Sequence, residues 1–432
     1  MCGILIHYRD FEPKYNLKHR GTIYRDMDYK NLILKHWSLP LQTYNTNLEQ
    51  PLRINKDRVL LYNGEIFNYK DFGDYNNDVE YLLDFFSKRD WFKNKQIHEW
   101  DGFWSLVLID KDCIYCFTDP LGKKQLYYSP KGISSEIKPL LNEYGLNHML
   151  IPITIKGNYF KRIFRIKPNC IYMFKQNKGK WFDNVKYFLN NYYKFKKMNK
   201  KIDLYELINK SVVDRLINRM DNITLLISGG LDSTIILYHL YINRIKNIEY
   251  LTIENDEDVY IDSISSFFNI KIKKISLKNI NIHRITKMIE HPYDYGSSIP
   301  QYFLFKNSKN RVVFTGDGAD ELFGGYSRSL LSDTQNYDIF TELPYLHHIR
   351  LDRLSMNFTK ECRNPFLSKD IINYSLSLNY KDRIGKKILK TMYMNKIPSI
   401  ILEREKKPLR YGNKNECLNK FTGSFRENFK HE

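Results

Sequence analysis

Ile223-Thr224-Leu225-Leu226-Ile227-Ser228-Gly229-Gly230-Leu231-Asp232-Ser233 decides the fold of the second half of this chain. Residues 223–227 read as a buried strand, 228–230 as a tight turn, and 233–241 as an apolar helix. Two glycines let backbone N–H groups close on phosphate oxygens, and the helix N-terminus adds partial positive charge. Asp232 suits a Mg²⁺ ion better than a phosphate, because two anions need a cation between them. Working outward, 248–253, 270–275 and 311–314 read as further strands, with helical segments between some of them. This rhythm predicts a parallel sheet covered on both faces, with ligands at the carboxyl ends of its strands. A second glycine-rich run, Thr315-Gly316-Asp317-Gly318-Ala319-Asp320-Glu321-Leu322-Phe323-Gly324-Gly325-Tyr326, starts where the strand 311–314 stops.

The first half has a different texture. Short apolar runs at 59–62, 104–109 and 114–117 read as strands, and 79–88 as a helix. Cys2 follows the initiator Met, and removal of Met1 would give its thiol an α-amine as its own base. Asn63-Gly64 after a strand reads either as a hairpin turn or as an oxyanion hole built from a side-chain amide and a backbone N–H. The polar stretch 190–201 is the expected linker, which places one domain at 1–189 and a second at 202–432.

Composition narrows the choices. At 432 residues the chain exceeds one ordinary core. Apolar residues make up 42% and charged residues 27%, as in globular proteins. No run approaches the roughly 18 apolar residues of a membrane span, and the N-terminus lacks a secretory signal, so the cytosol is expected. The net charge is +19, but the lysines are spread along the chain instead of forming a stripe, so no nucleic-acid partner is expected. The densest basic stretch falls in the linker. Cys113-x-x-Cys116 lacks a second pair, and on a strand the two thiols face opposite sides, which favours core cysteines over a metal site.

Several motifs together resemble the glutamine-hydrolysing asparagine synthetase family. Met1-Cys2-Gly3-Ile4, Arg20-Gly21, Asn63-Gly64-Glu65-Ile66-Phe67-Asn68, Asp101-Gly102 and Asp119-Pro120-Leu121-Gly122-Lys123-Lys124 resemble its class II glutamine amidotransferase domain. The hexapeptide 228–233 resembles the ATP-pyrophosphatase signature, and 315–326 is close to the asparagine-synthetase form. The segments 291–302, 352–356, 361–367 and 385–389 extend the match. The resemblance implies an α+β N-terminal-nucleophile sandwich of four layers, αββα, followed by an α/β ATP-pyrophosphatase domain with a parallel sheet.

It also implies roles. Cys2 is the nucleophile, and Asn63 with Gly64 stabilises the oxyanion. Asn63, Glu65 and Asp78 bind glutamine, although Asp78 also reads as a helix N-cap. Ser228, Gly229, Gly230, Leu231, Asp232, Ser233, Thr315 and Gly316 bind ATP and pyrophosphate. Asp232 and Asp320 hold Mg²⁺, Asp317 lies near the aspartate substrate, and Lys386, preferred over Lys387, is aimed at the transition state. The implied reaction amidates aspartate through a β-aspartyl-AMP intermediate, with ammonia crossing a dry path between the domains. The expected partners are small molecules (glutamine, aspartate and ATP), and a homodimer is compatible with this reading. One departure stands out: Ser38 occupies the place of the family's glutamine-gripping Arg, and a serine cannot make a bidentate charged contact. An ammonia-dependent ligase, or one acting on another carboxylate, therefore stays open.

Overall fold

The computed structural model describes residues 2–41, 49–141, 159–198, 202–216, 222–254, 258–291, 295–405, 420, 424–425 and 427–428. The chain divides into two compact units. The first comprises Met1–Lys194 with Thr286–Tyr293 and Lys420–Glu432, and the second Phe195–Ile285 with Asp294–Asn419. The first unit thus takes in two short pieces of chain from beyond residue 202.

The first unit is built on two antiparallel sheets. One runs β10 (Phe164–Arg165), β8 (Tyr127–Ser129), β9 (Gly132–Ser134), β1 (Cys2–Tyr8), β3 (Leu32–Ser38), β2 (Ile23–Tyr29). The other runs β12 (Val185–Asn190), β11 (Cys170–Lys175), β7 (Cys113–Thr118), β6 (Gly102–Asp110), β5 (Arg58–Ile66), β4 (Leu52–Arg53). Side chains on a strand alternate between faces. Ile4, Ile6, Leu32 and Leu34 of the first sheet accordingly share one core with Val59, Leu61, Val107, Ile109 and Ile114 of the second. That is the face-to-face packing of a sandwich. Cys116 points into this core and is buried, while Cys113 is half-buried, and burial pushes both thiols up.

The helix Asp78–Ser87 begins after Asn77, whose Oδ1 accepts the Glu80 N–H at 2.9 Å. Asn77 therefore caps this helix, and Asp78 is its first residue. The Asn63-Gly64 pair is not a hairpin turn. Strand β5 runs through it to Ile66, and Gly64 lies opposite Trp104 of β6. A methyl group on Gly64 would stand 2.1 Å from the Phe103 carbonyl oxygen, so the close strand pairing needs glycine here.

The second unit is a parallel sheet in the order β15 (Lys273–Ile275), β14 (Ile248–Ile253), β13 (Ile223–Leu226), β16 (Val312–Phe314), β17 (Glu361–Arg363). Strand β15 begins at Lys273, not at 270, and β17 adds a strand that the sequence did not announce. The helix Leu231–Ile242 follows β13 and is apolar nearly all round, as suits a helix buried against a sheet. No described helix is long and apolar enough to cross a membrane. In the acceptor segment 291–302, Pro292, Tyr293 and Asp294 lie outside the described residues.

Candidate active sites

In the first unit, Cys2 opens β1 and is buried. Its backbone N–H donates to Asn63 Oδ1 at 2.8 Å, and Asn63 Nδ2 donates to Ser105 Oγ at 3.3 Å. Arg20, also buried, donates from Nε to the Cys2 carbonyl oxygen at 3.0 Å and from Nη1 to Glu136 at 2.9 Å. The backbone of Cys2 is thus fixed at both its N–H and its C=O. Asp78 Oδ2 accepts the Tyr62 hydroxyl at 2.7 Å and the Ile66 N–H at 3.0 Å. That ties the helix start to β5, and Glu65 is buried on the same strand.

Burial by itself would push the Cys2 thiol up. The amino-terminal charge, the charge and hydrogen bond of His36, and a backbone hydrogen bond from Leu39 outweigh it, and the pKa falls to about 6. His36 Nε2 faces the Tyr62 carbonyl at 3.0 Å, and a carbonyl only accepts, so this nitrogen carries hydrogen. Its Nδ1 lies 2.9 Å from Ser38 Oγ. Ser38 is therefore engaged with an imidazole. The sequence assigned no role to His36 and showed no sign of Glu136, because a buried carboxylate carries no marker in one sequence.

In the second unit, β13 and β16 are parallel neighbours, with Leu225 paired to Phe314. The turns 228–233 and 315–318 consequently leave the sheet at the same end. They touch: a methyl group on Gly316 would lie 2.8 Å from Asp232 Cβ. Ser228 N–H and Oγ face Ser233 Oγ at 3.2 and 3.3 Å, and Thr234 Oγ1 donates to the Gly230 carbonyl at 2.8 Å. Gly229 has φ +69°, which an L side chain rarely adopts. These bonds hold the turn tight ahead of the helix N-terminus, and Leu231 forms the first residue of that helix.

Lys386 Nζ lies 2.6 and 2.7 Å from the two oxygens of Asp232 and 2.6 Å from Asp320 Oδ1. Lys386 is buried and Lys387 exposed. Lys386 also sits at φ +59°, a strained backbone conformation that turns its side chain inward. Gly325 makes room for the cluster, since a methyl group there would lie 2.0 Å from Asp320 Oδ1 and 2.3 Å from Lys386 Cε. A cavity of about 420 Å³ opens here, lined by Ser228, Gly230, Asp232, Gly325 and Lys386.

Asp317 stands slightly apart. Its Oδ2 accepts Thr315 Oγ1–H at 2.6 Å, and its Oδ1 lies 3.7 Å from Arg350 Nη2. Buried Arg350 donates to Gln301 at 2.7 Å. No sequence motif pointed to Arg350.

Among the described residues no cluster of three or more metal-ligating side chains occurs. Mg²⁺ nonetheless needs only one or two carboxylates, completing its shell with waters and phosphates. Two carboxylates already converging on one cation fit that requirement.

An antiparallel double sheet with a cysteine opening its first strand has the N-terminal-nucleophile architecture, and the five parallel strands with their glycine turn have that of an ATP pyrophosphatase. Their union in one chain defines a class, the two-domain glutamine amidotransferases. The chain belongs to the asparagine synthase family, a family of ligases: it matches that family over 203–344 and 328–431, and the glutamine amidotransferase domain over 1–193. It is 25% identical to a putative glutamine-hydrolysing asparagine synthetase of Methanocaldococcus jannaschii, over 87% of this chain and 73% of that protein. It is also 25% identical to the Homo sapiens asparagine synthetase, over 83% of this chain and 73% of that protein. Among solved structures, the Bacillus subtilis glutamine phosphoribosylpyrophosphate amidotransferase covers 73% of this chain and 81% of its own at 11% identity. Its TM-score is 0.32, too loose a likeness to support more.

Proposed function

We propose that this enzyme forms asparagine from aspartate, using ATP and ammonia released from glutamine. The observation that carries this reading is the Asp232–Lys386–Asp320 cluster at the carboxyl end of β13 and β16, beside a glycine turn suited to phosphates.

In the ligase half, the turn 228–233 with Thr315 and Gly316 cradles the phosphates through backbone N–H groups. Asp232 and Asp320 would hold Mg²⁺, which when bound offsets the charge of the pyrophosphate leaving group. Lys386 supplies a positive charge close to the phosphates as the aspartate carboxylate displaces pyrophosphate, giving β-aspartyl-AMP. Asp317 and Arg350 present opposite charges that suit the ammonium and carboxylate of an amino acid. In the glutaminase half, Cys2 attacks the glutamine amide. Asn63 and the Gly64 N–H receive the oxyanion, and Glu65 and Asp78 hold the substrate's α-amino group. Asn63 Oδ1 already accepts the Cys2 N–H and one amide hydrogen goes to Ser105 Oγ, which leaves the second Nδ2 hydrogen as the donor for that oxyanion. The enzyme is proposed to work in the cytoplasm, with no nucleic-acid partner, and a homodimer is compatible with this.

The test is mass spectrometry of products from ATP, Mg²⁺, aspartate and glutamine. The expected products are asparagine, AMP, pyrophosphate and glutamate. ADP in place of AMP, or no asparagine, refutes the proposal.

A second reading has its own support: Ser38, which stands in the place of the family's glutamine-gripping Arg, carries no charge and lies 2.9 Å from His36 Nδ1. The enzyme would then draw mainly on free ammonia. Comparing product formation from glutamine and from ammonium separates the two.

A further inference from the structure

The segment that follows the helix Ser399–Glu403 returns to the turn after β13. Arg404 Nη1 donates to the Ser228 carbonyl at 3.2 Å, and the guanidinium carbon lies 4.6 Å from the centre of the Tyr260 ring. A methyl group on Gly229 would stand 3.4 Å from Arg404 Nη1, and one on Gly230 3.5 Å. The guanidinium therefore lies against the two glycines of the turn. Arg404 and Lys390 line the same cavity as Asp232 and Lys386. Glu403 and Glu405 line it too, but both are exposed.

A guanidinium is always charged, and its planar fork matches two oxygens of one phosphate. Stacked on a ring and tied to a carbonyl, it is ordered before the anion arrives, so little freedom is lost on binding. We infer that Arg404 is a phosphate-binding residue, gripping the pyrophosphate portion of the nucleotide against Ser228–Gly230, with Tyr260 as its platform. The inference rests on the reading of that turn as a phosphate cradle and adds to it a residue from a distant part of the chain. The rival explanation is mechanical: Arg404 merely staples the segment after residue 403 to the turn.

Calorimetric titration of the full chain with magnesium pyrophosphate tests it, alongside ammonium-dependent AMP formation. In Arg404→Gln, pyrophosphate affinity is expected to fall about tenfold and KM for ATP to rise by a similar factor, while KM for aspartate stays within about twofold, as for loss of one charge-assisted contact. Arg404→Lys keeps the charge and loses the fork, and about fivefold weakening is expected of it. It stands in for the Gln variant if that fails to fold. Unchanged pyrophosphate affinity in the folded variants overturns the inference, as does a uniform loss of kcat with both KM values unmoved, which is what a staple produces. The reading beneath it fails separately: wild-type chain that neither binds pyrophosphate nor makes AMP sinks the cradle itself.

Discussion

Asp232 and Asp320 meet on one ammonium group: Lys386 Nζ lies 2.6 Å from an oxygen of each. They come from different turns, which parallel strand pairing brings to one end of the sheet. Asp232 is buried and Asp320 half-buried, and two carboxylates so close repel each other unless a cation lies between them.

Lys386→Met should therefore be costly twice over. Removing one member of a buried ion pair destabilises by about 3–5 kcal/mol, because the remaining charges lose their partner. AMP formation should fall by about 10²-fold or more. Glutaminase activity should survive, since Cys2 belongs to the other unit. Thermal melting together with the two half-reactions checks this.

Cys2 offers a pH test. Its thiol is held at about 6, and a thiol is strongly nucleophilic only as the thiolate, the form the proposed glutaminase step requires. Glutaminase kcat/KM should hold above that pH and fall as the pH drops through about 6. Because His36 is one of the groups lowering the pKa, His36→Gln should move the inflection upward. Cys2→Ala should abolish glutamine use and spare ammonium use. Loss of both nitrogen sources would contradict the two-site account.

Ser38→Arg should restore a charged contact for glutamine's carboxylate. KM for glutamine should drop by about tenfold, the scale of one charge-assisted hydrogen bond, while KM for ammonium stays put. Steady-state kinetics with each nitrogen source decides it. An unchanged KM for glutamine would show that its carboxylate is held elsewhere.

Gly64→Ala should lower the melting temperature more than a surface change does. The added methyl group would lie 2.1 Å from the Phe103 carbonyl oxygen and 2.7 Å from Trp104 Cα. Prising β5 from β6 to admit it is expected to cost about 1–3 kcal/mol, read as a fall in denaturant midpoint.

Much of this was legible in sequence, and the reasons are physical. The run 223–233 announces strand, turn and helix because apolar periodicity and paired glycines are local signals. The helix at 78–87 likewise shows in its apolar spacing. Non-local features were hidden. Strand β17 has only three residues, two of them charged, and exists because it pairs with β16 and because Arg363 Nε donates to Glu361 at 2.5 Å. Asn63-Gly64 imitates a hairpin, since glycine serves equally where a turn needs positive φ and where another strand comes too close. Arg20 showed only as part of a motif with no stated role, and Glu136 and Arg350 gave no signal, until their buried partners are seen. Arg404, far along the chain from the turn it touches, gave no signal at all.

The claim at the centre is that Asp232 and Asp320 serve one cation site and act as a unit. The direct measurement is the rate of AMP formation with ammonium in Asp232→Asn, Asp320→Asn and the double variant. If the two carboxylates share one task, each single change should remove nearly all activity and the double should be little worse than either. Losses that multiply independently, or a single variant that keeps near-normal rates, would contradict it.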